Sequence, residues 1–210
     1  GGNGDHTIRT GLLQKSVISN NSASNSAAGI WTMRAPNFTS STAAVPAGTY
    51  TEQVVFSDNK IFGASGQTAL MFTIRPTNNT RDERLRNIIV ERNWILTGPT
   101  ALGAMQINAQ NITVRNNLFD LSLGVGHLGA AVGRNGVEPG PIEIKFYNNT
   151  FFSSSSGGFA IANVTSGTSS SPAGMTAVNN IAYAPNASGA VVFNILCGGS
   201  CLSQSNNTPL

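Results

Sequence analysis

Charge is what this chain has least of. Its 210 residues carry 12 Lys plus Arg and 9 Asp plus Glu, 10% of the total, for a formal net charge of +3. With apolar residues at 40%, so small a charged fraction excludes a charged disordered tail. The abundance of Gly, Ser, Thr and Asn argues against a helix-rich globule and for strands and turns. The sequence pI near 9.2 rests on few ionisable groups, so no nucleic-acid partner is expected.

Cysteine is nearly absent too. Cys197 and Cys201 are the only pair, in CGGSC, a spacing that permits a small disulfide loop and supplies too few ligands for a zinc site. No apolar run approaches the roughly 18 to 20 residues needed to span a membrane, so membrane insertion is not expected. The opening GGNGDH lacks a Met, a basic segment and an apolar signal core, and the chain reads as processed or excised from something longer. Its length suits one domain over residues 1–210, complete or as a fragment. Sequons such as NFT at 37–39 and NIT at 111–113 recur, but a chain this rich in Asn, Ser and Thr generates them by chance.

What is present in quantity is a repeat. One phrase returns six times: SVISNN ending at Asn21, VVFSDN at Asn59, IIVERN at Asn93, ITVRNN at Asn117, IKFYNN at Asn149 and TAVNN at Asn180. The intervals between these asparagines are 38, 34, 24, 32 and 31 residues, so the phrase is fixed and the connections vary, as in a solenoid with loop insertions. Apolar residues alternate through each phrase and beyond it, as in Ile88, Val90 and Ile95, or Ile112, Val114 and Phe119. Each unit therefore reads as strand, tight bend, strand. The phrase asparagine is expected at the bend in the left-handed region, bonded to its counterparts on neighbouring coils.

A third strand candidate precedes each phrase, HTIR at 6–9, WTMR at 31–34, FTIR at 72–75, MQIN at 105–108, AAVG at 130–133 and FAIAN at 159–163, and a seventh, VVFN at 191–194, follows the last. Three short strands per turn is the plan of a parallel β-helix of about six to seven coils. The expected inward column is Ile8, Met33, Ile74, Ile107, Val132, Ile161 and Val192. An antiparallel sandwich fits less well, because hairpin signals such as NG or DG do not fall between adjacent strands.

These repeats resemble the right-handed parallel β-helix of the pectate-lyase-like superfamily with its asparagine ladder. DERLRNIIVERNWI at 82–95 and NITVRNNLFDL at 111–121 are similar to bacterial β-helix repeat proteins associated with extracellular polysaccharides. The resemblance covers about residues 5–195. It implies an all-β solenoid at the cell surface or outside the cell. It specifies activity much less, since the fold also hosts hydrolases, adhesins and phage tailspikes.

With the inward column fixed, Arg9, Arg34 and Arg75 are expected on one outward face, the strand that floors the glycan cleft in similar enzymes. Guanidiniums stacked near 5 Å repel one another unless an acidic chain or neighbouring carboxylates lie across them, about the spacing of adjacent strands. An acidic polysaccharide is the expected partner, gripped through bidentate Arg–carboxylate pairs. Thr7, Thr32 and Thr73 beside the row, Trp31, Gln106 and Asn108 are the candidate contacts. The bland alternative is a solvated strand, with Arg75 paired to Asp82 or Glu83.

Cleavage in similar lyases proceeds by β-elimination: a base removes the proton beside a uronic carboxylate while a cation stabilises the enolate. His6, Arg9, Arg34 and Arg75 are the candidate catalytic residues, and His6 titrates near neutrality without help. The R-x-P-x-x-R signature of typical pectate lyases is absent, because RPTNNTR places Arg81 one position late. Hydrolysis needs paired carboxylates, and only Asp5 lies near the expected cleft strand. No cofactor or metal is expected; calcium would have only Asp82 and Glu83 to bind. GVGHLG at 124–129, with His127, reads as a loop without the strand and helix of a dinucleotide site. Two functions remain open: an acidic-polysaccharide binder, with or without cleavage of its ligand by β-elimination, and a non-catalytic structural or adhesive solenoid that self-associates end to end.

Overall fold

A computed structural model describes residues 7–24, 29–34, 48–64, 68–73, 85–101, 103–123, 128–132, 142–154, 159–163, 174–185 and 202–209. These form twenty short strands in three sheets whose pairings all run parallel. Sheet A is ordered β1 (Ile8–Gly11), β4 (Trp31–Arg34), β7 (Thr68–Thr73), β10 (Gly103–Ile107), β13 (Leu128–Val132), β16 (Phe159–Asn163). Sheet B runs from β2 (Gln14–Ser19) through β5 (Glu52–Ser57), β8 (Arg86–Glu91), β11 (Gln110–Arg115), β14 (Ile142–Tyr147) and β17 (Met175–Val178) to β19 (Leu202–Ser205). Sheet C follows with β3 (Ser22–Ser24), β6 (Lys60–Ala64), β9 (Trp94–Thr97), β12 (Leu118–Leu121), β15 (Thr150–Ser153), β18 (Ile181–Tyr183) and β20 (Thr208–Pro209). Among the described residues, six successive turns each contribute one strand to each sheet and a seventh contributes β19 and β20 to sheets B and C, and the turns stack as a right-handed parallel β-helix.

The inner faces meet in one core. Val54, Ile88, Ile112, Ile144 and Met175 stack as one column of sheet B, and Phe56, Val90, Val114, Phe146 and Ala177 as a second, all buried. Ile61, Ile95, Phe119, Phe151 and Ala182 line sheet C, with the Phe119 and Phe151 rings stacked at 4.6 Å. Ile88, Val90 and Ile95, and likewise Ile112, Val114 and Phe119, are inside as expected, whereas in the first phrase Ile18 is half-buried and Val17 exposed.

Sheet A corrects one expectation. Its inner face has two columns: Met33, Phe72, Ile107 and Val132 form one, and Ile8, Trp31, Leu70, Met105, Ala130 and Ile161 form the other. The single column drawn from the motifs mixed the two. Phe72 takes the place assigned to Ile74, which, like Val192, lies outside the described residues. Period-2 alternation determines which face a residue takes. Which coil positions align is decided by packing across the core, where the Phe56 ring meets Trp31 edge-on at 5.1 Å and Phe72 at 6.2 Å.

Between sheets B and C the six phrase asparagines lie in one row, continued by a seventh, Asn207. Each Nδ2 donates to the Oδ1 of the next rung at 2.9–3.1 Å: Asn21 to Asn59, then Asn93, Asn117, Asn149, Asn180 and Asn207. Every such Oδ1 also accepts the preceding rung's backbone N–H, at 2.9–3.1 Å. The left-handed conformation belongs to the residue before each rung. Asn20, Asp58, Arg92, Asn116, Asn148, Asn179 and Asn206 have φ of 53–59°. A second left-handed row opens sheet B, at Lys15, Gln53, Asn87, Asn111, Glu143 and finally Gly174, whose φ of 67° suits its missing Cβ. The two bends stand five residues apart and hold sheet B between them.

Candidate functional site

The surface on which the sequence places a glycan is the outer face of sheet A. Arg9 and Thr7 are both exposed there, on the first coil. The strand register then separates Arg9 from Arg34. Arg9 pairs with Thr32, whereas Arg34 pairs with Gly11 on one side and Thr73 on the other. HTIR and WTMR are therefore out of step by two residues, and Arg9 and Arg34 do not stack on one another. Arg75 and His6 lie outside the described residues, and for Arg34 and Thr73 only the backbone register is described.

Several expected contacts are withdrawn from solvent. Trp31 is 5% exposed, packs against Phe56 and donates its Nε1–H to Thr10 Oγ1 at 3.3 Å, so it belongs to the core and cannot stack on a sugar. Its parity with Met33 is the reason: residues two apart in a strand share a face. Thr32 has no exposed surface and Asn108 only 1%; Met71, next to Thr32 in the outer row, is buried as well. Gln106 follows Met71 in that row and is half-buried. The outer face of sheet A is thus covered at coils 2 and 3, where an open cleft floor was expected.

Charges gather instead on sheet B and its second bend. Arg92 grips Asp58 with two bonds, Nε to Oδ1 at 2.8 Å and Nη2 to Oδ2 at 2.9 Å, and reaches Glu91 Oε1 with Nη1 at 2.6 Å. Arg115 completes the chain through Nε and Nη2 to Glu91 Oε2, at 2.7 and 2.6 Å. Arg92 holds the Asp58 carboxyl below the usual carboxylate range. Burial pushes Glu91 up, but hydrogen bonds from Arg115 and Arg92 outweigh it and leave its carboxyl lowered. The same pairings raise Arg92. Arg86 binds Glu52 at 2.6 Å and lies 3.5 Å over the Tyr50 ring. These guanidiniums bind carboxylates of adjacent coils, which makes them staples between turns.

The motif search missed this network and the apolar outer face of sheet C. Both follow from counting outward from the ladder in steps of two, a signal available once the ladder is assigned. Among the described residues, no three His, Cys, Asp or Glu lie close enough to hold a metal ion.

Fold and surface together define a class: an all-β parallel solenoid with a continuous asparagine ladder. Family models, curated proteins and solved structures yield no match to the chain.

Proposed function

We propose that the protein is a non-catalytic β-solenoid of the polysaccharide-associated kind its repeats resemble, acting outside the cell or at its surface as a structural or adhesive module. The register of sheet A carries this reading: it staggers Arg9 and Arg34 where a lyase-like cleft needs them aligned, and Thr32, where a sugar would lie, is buried. The seven-rung ladder and the guanidinium staples suit a stiff scaffold that holds its surface in fixed geometry.

The test is incubation of the chain with polygalacturonate, alginate and hyaluronate, following the ultraviolet absorbance of unsaturated product and the release of reducing ends. No product is expected from any polymer. Sustained formation of unsaturated ends, abolished in an Arg9→Ala or His6→Ala variant, would restore the elimination reading of the arginine motifs.

A further inference from the structure

The outer face of sheet C differs from the other two. Its outward positions form two columns, Lys60, Trp94, Leu118, Thr150 and Ile181 beside Phe62, Leu96, Asp120, Phe152 and Tyr183. Trp94, Leu118, Ile181 and Tyr183 are 39%, 36%, 42% and 43% exposed, so four large apolar side chains stand in solvent on one face. The aromatics come in pairs. Phe62 and Trp94 meet edge-on at 5.2 Å, and Phe152 and Tyr183 stack at 5.7 Å with their planes 16° apart. Such packing holds the rings in place before a ligand arrives.

We propose that this strip binds one extended, uncharged polysaccharide chain, an inference that rests on reading the protein as a polysaccharide-associated solenoid and names the ligand and its site. Size argues first. Coils about 4.8 Å apart put Tyr183 about 19 Å from Phe62 along the axis, and the columns stand about 7 Å apart. A strip of those dimensions covers on the order of 130 Å², about a sixth of the roughly 800 Å² per partner that a specific protein interface buries, so it fits one chain lengthwise better than a second copy of the protein.

Chemistry argues second. The only ionisable groups in the columns besides Tyr183 are Lys60 and Asp120, one of each sign, and Asp120 Oδ1 already accepts the Ser122 N–H at 3.0 Å. A uronic or sulfated chain finds no cluster of cations there. A peptide cannot add as a strand to this face, because strand addition needs a free sheet edge and the strands concerned pair on both sides. A neutral glycan offers what the strip takes: apolar C–H faces for the Trp94 and Tyr183 rings, and rim hydroxyls for Thr150, Asp120 and the Tyr183 hydroxyl.

Trp94 also supplies the readout, since the other tryptophan, Trp31, is buried. The full chain is titrated with cellohexaose, mannohexaose and laminarihexaose while tryptophan emission is recorded. At least one of the three is expected to shift or quench the emission saturably. The response should disappear in Trp94→Phe, and affinity measured by calorimetry should fall at least tenfold in Trp94→Ala/Tyr183→Ala with the melting temperature little changed. The Arg9→Ala variant should bind as the parent does. Failure of all three sugars to bind overturns the proposal, as does binding that the double substitution leaves intact. A double variant that changes self-association and not sugar binding reassigns the strip to protein contacts and overturns it equally. Turnover assays on uronic polymers bear on the scaffold reading alone, so the two can fail separately.

Discussion

At the scale of single residues, the ladder asparagine is a hydrogen-bond junction. Asn93 is buried; its Nδ2 donates to Asn117 Oδ1 at 2.9 Å and to the Phe56 carbonyl at 3.0 Å, while its Oδ1 accepts the Asn59 backbone N–H and Nδ2. Replacing it with Val leaves donors and acceptors of two neighbouring coils buried without partners. Each such group costs about 1–3 kcal/mol, so Asn93→Val is expected to destabilise by about 3 kcal/mol or more in denaturant unfolding. A loss below about 1 kcal/mol would mean that water replaces the amide. The row of asparagines was legible in the sequence, but its backbone role was assigned to the wrong member of each pair. In Asn20-Asn21, Asn116-Asn117 or Asn148-Asn149 both residues tolerate a bend, and only the geometry separates the left-handed residue from the rung.

Glu91 gives a pH prediction at the same scale. Its folded carboxyl is lowered, so its contribution to stability is present above the unfolded value, about 4.3 for Glu, and is lost as pH falls through the folded one. Thermal melts of the parent are expected to be flat from neutrality down to about pH 5 and to drop below about pH 4. Glu91→Gln should start lower and show a shallower drop across that window. Parallel profiles for the two proteins would show that Glu91 does not report on folding.

At the scale of elements, the three sheets were not equally legible. Sheets B and C were readable because a fixed phrase marks their phase, and alternation from it places Ile88, Val90 and Ile95 inside. Sheet A has no such marker. The T-x-R text of its motifs suggested a phase, but core packing of Trp31, Leu70 and Met105 determined another, two residues off. Alternation still predicted faces correctly, and by that rule Trp31 shares the inner face of Met33. Burial on the outer side was not legible, because exposure depends on what else lies over a strand. Thr32 tests this point. It is fully buried, and its Oγ1 has no hydrogen-bond partner among the described residues, so Thr32→Val should be neutral or stabilising by about 1 kcal/mol. A clear loss of melting temperature would reveal a bond to that hydroxyl.

At the scale of the whole molecule, the ladder has a direction: the six rungs from Asn21 to Asn180 each donate an amide hydrogen to the Oδ1 of the next, ending at Asn207. Coils that stack head to tail would continue the pattern, whereas head-to-head contact would oppose like groups. Self-association in the proposed scaffold is therefore expected to be head to tail. Light scattering should show particle size growing with concentration; a constant monomeric size would remove self-association from the proposal.

The central claim is that core and ladder, and not the recurring motif, set the register and so stagger Arg9 and Arg34. Nuclear Overhauser contacts between backbone protons of neighbouring strands test it most directly. The structure predicts contacts linking Arg9 with Thr32 and Arg34 with Thr73. Contacts linking Arg9 with Arg34, and Arg34 with Arg75, would contradict it and realign the three arginines in one row.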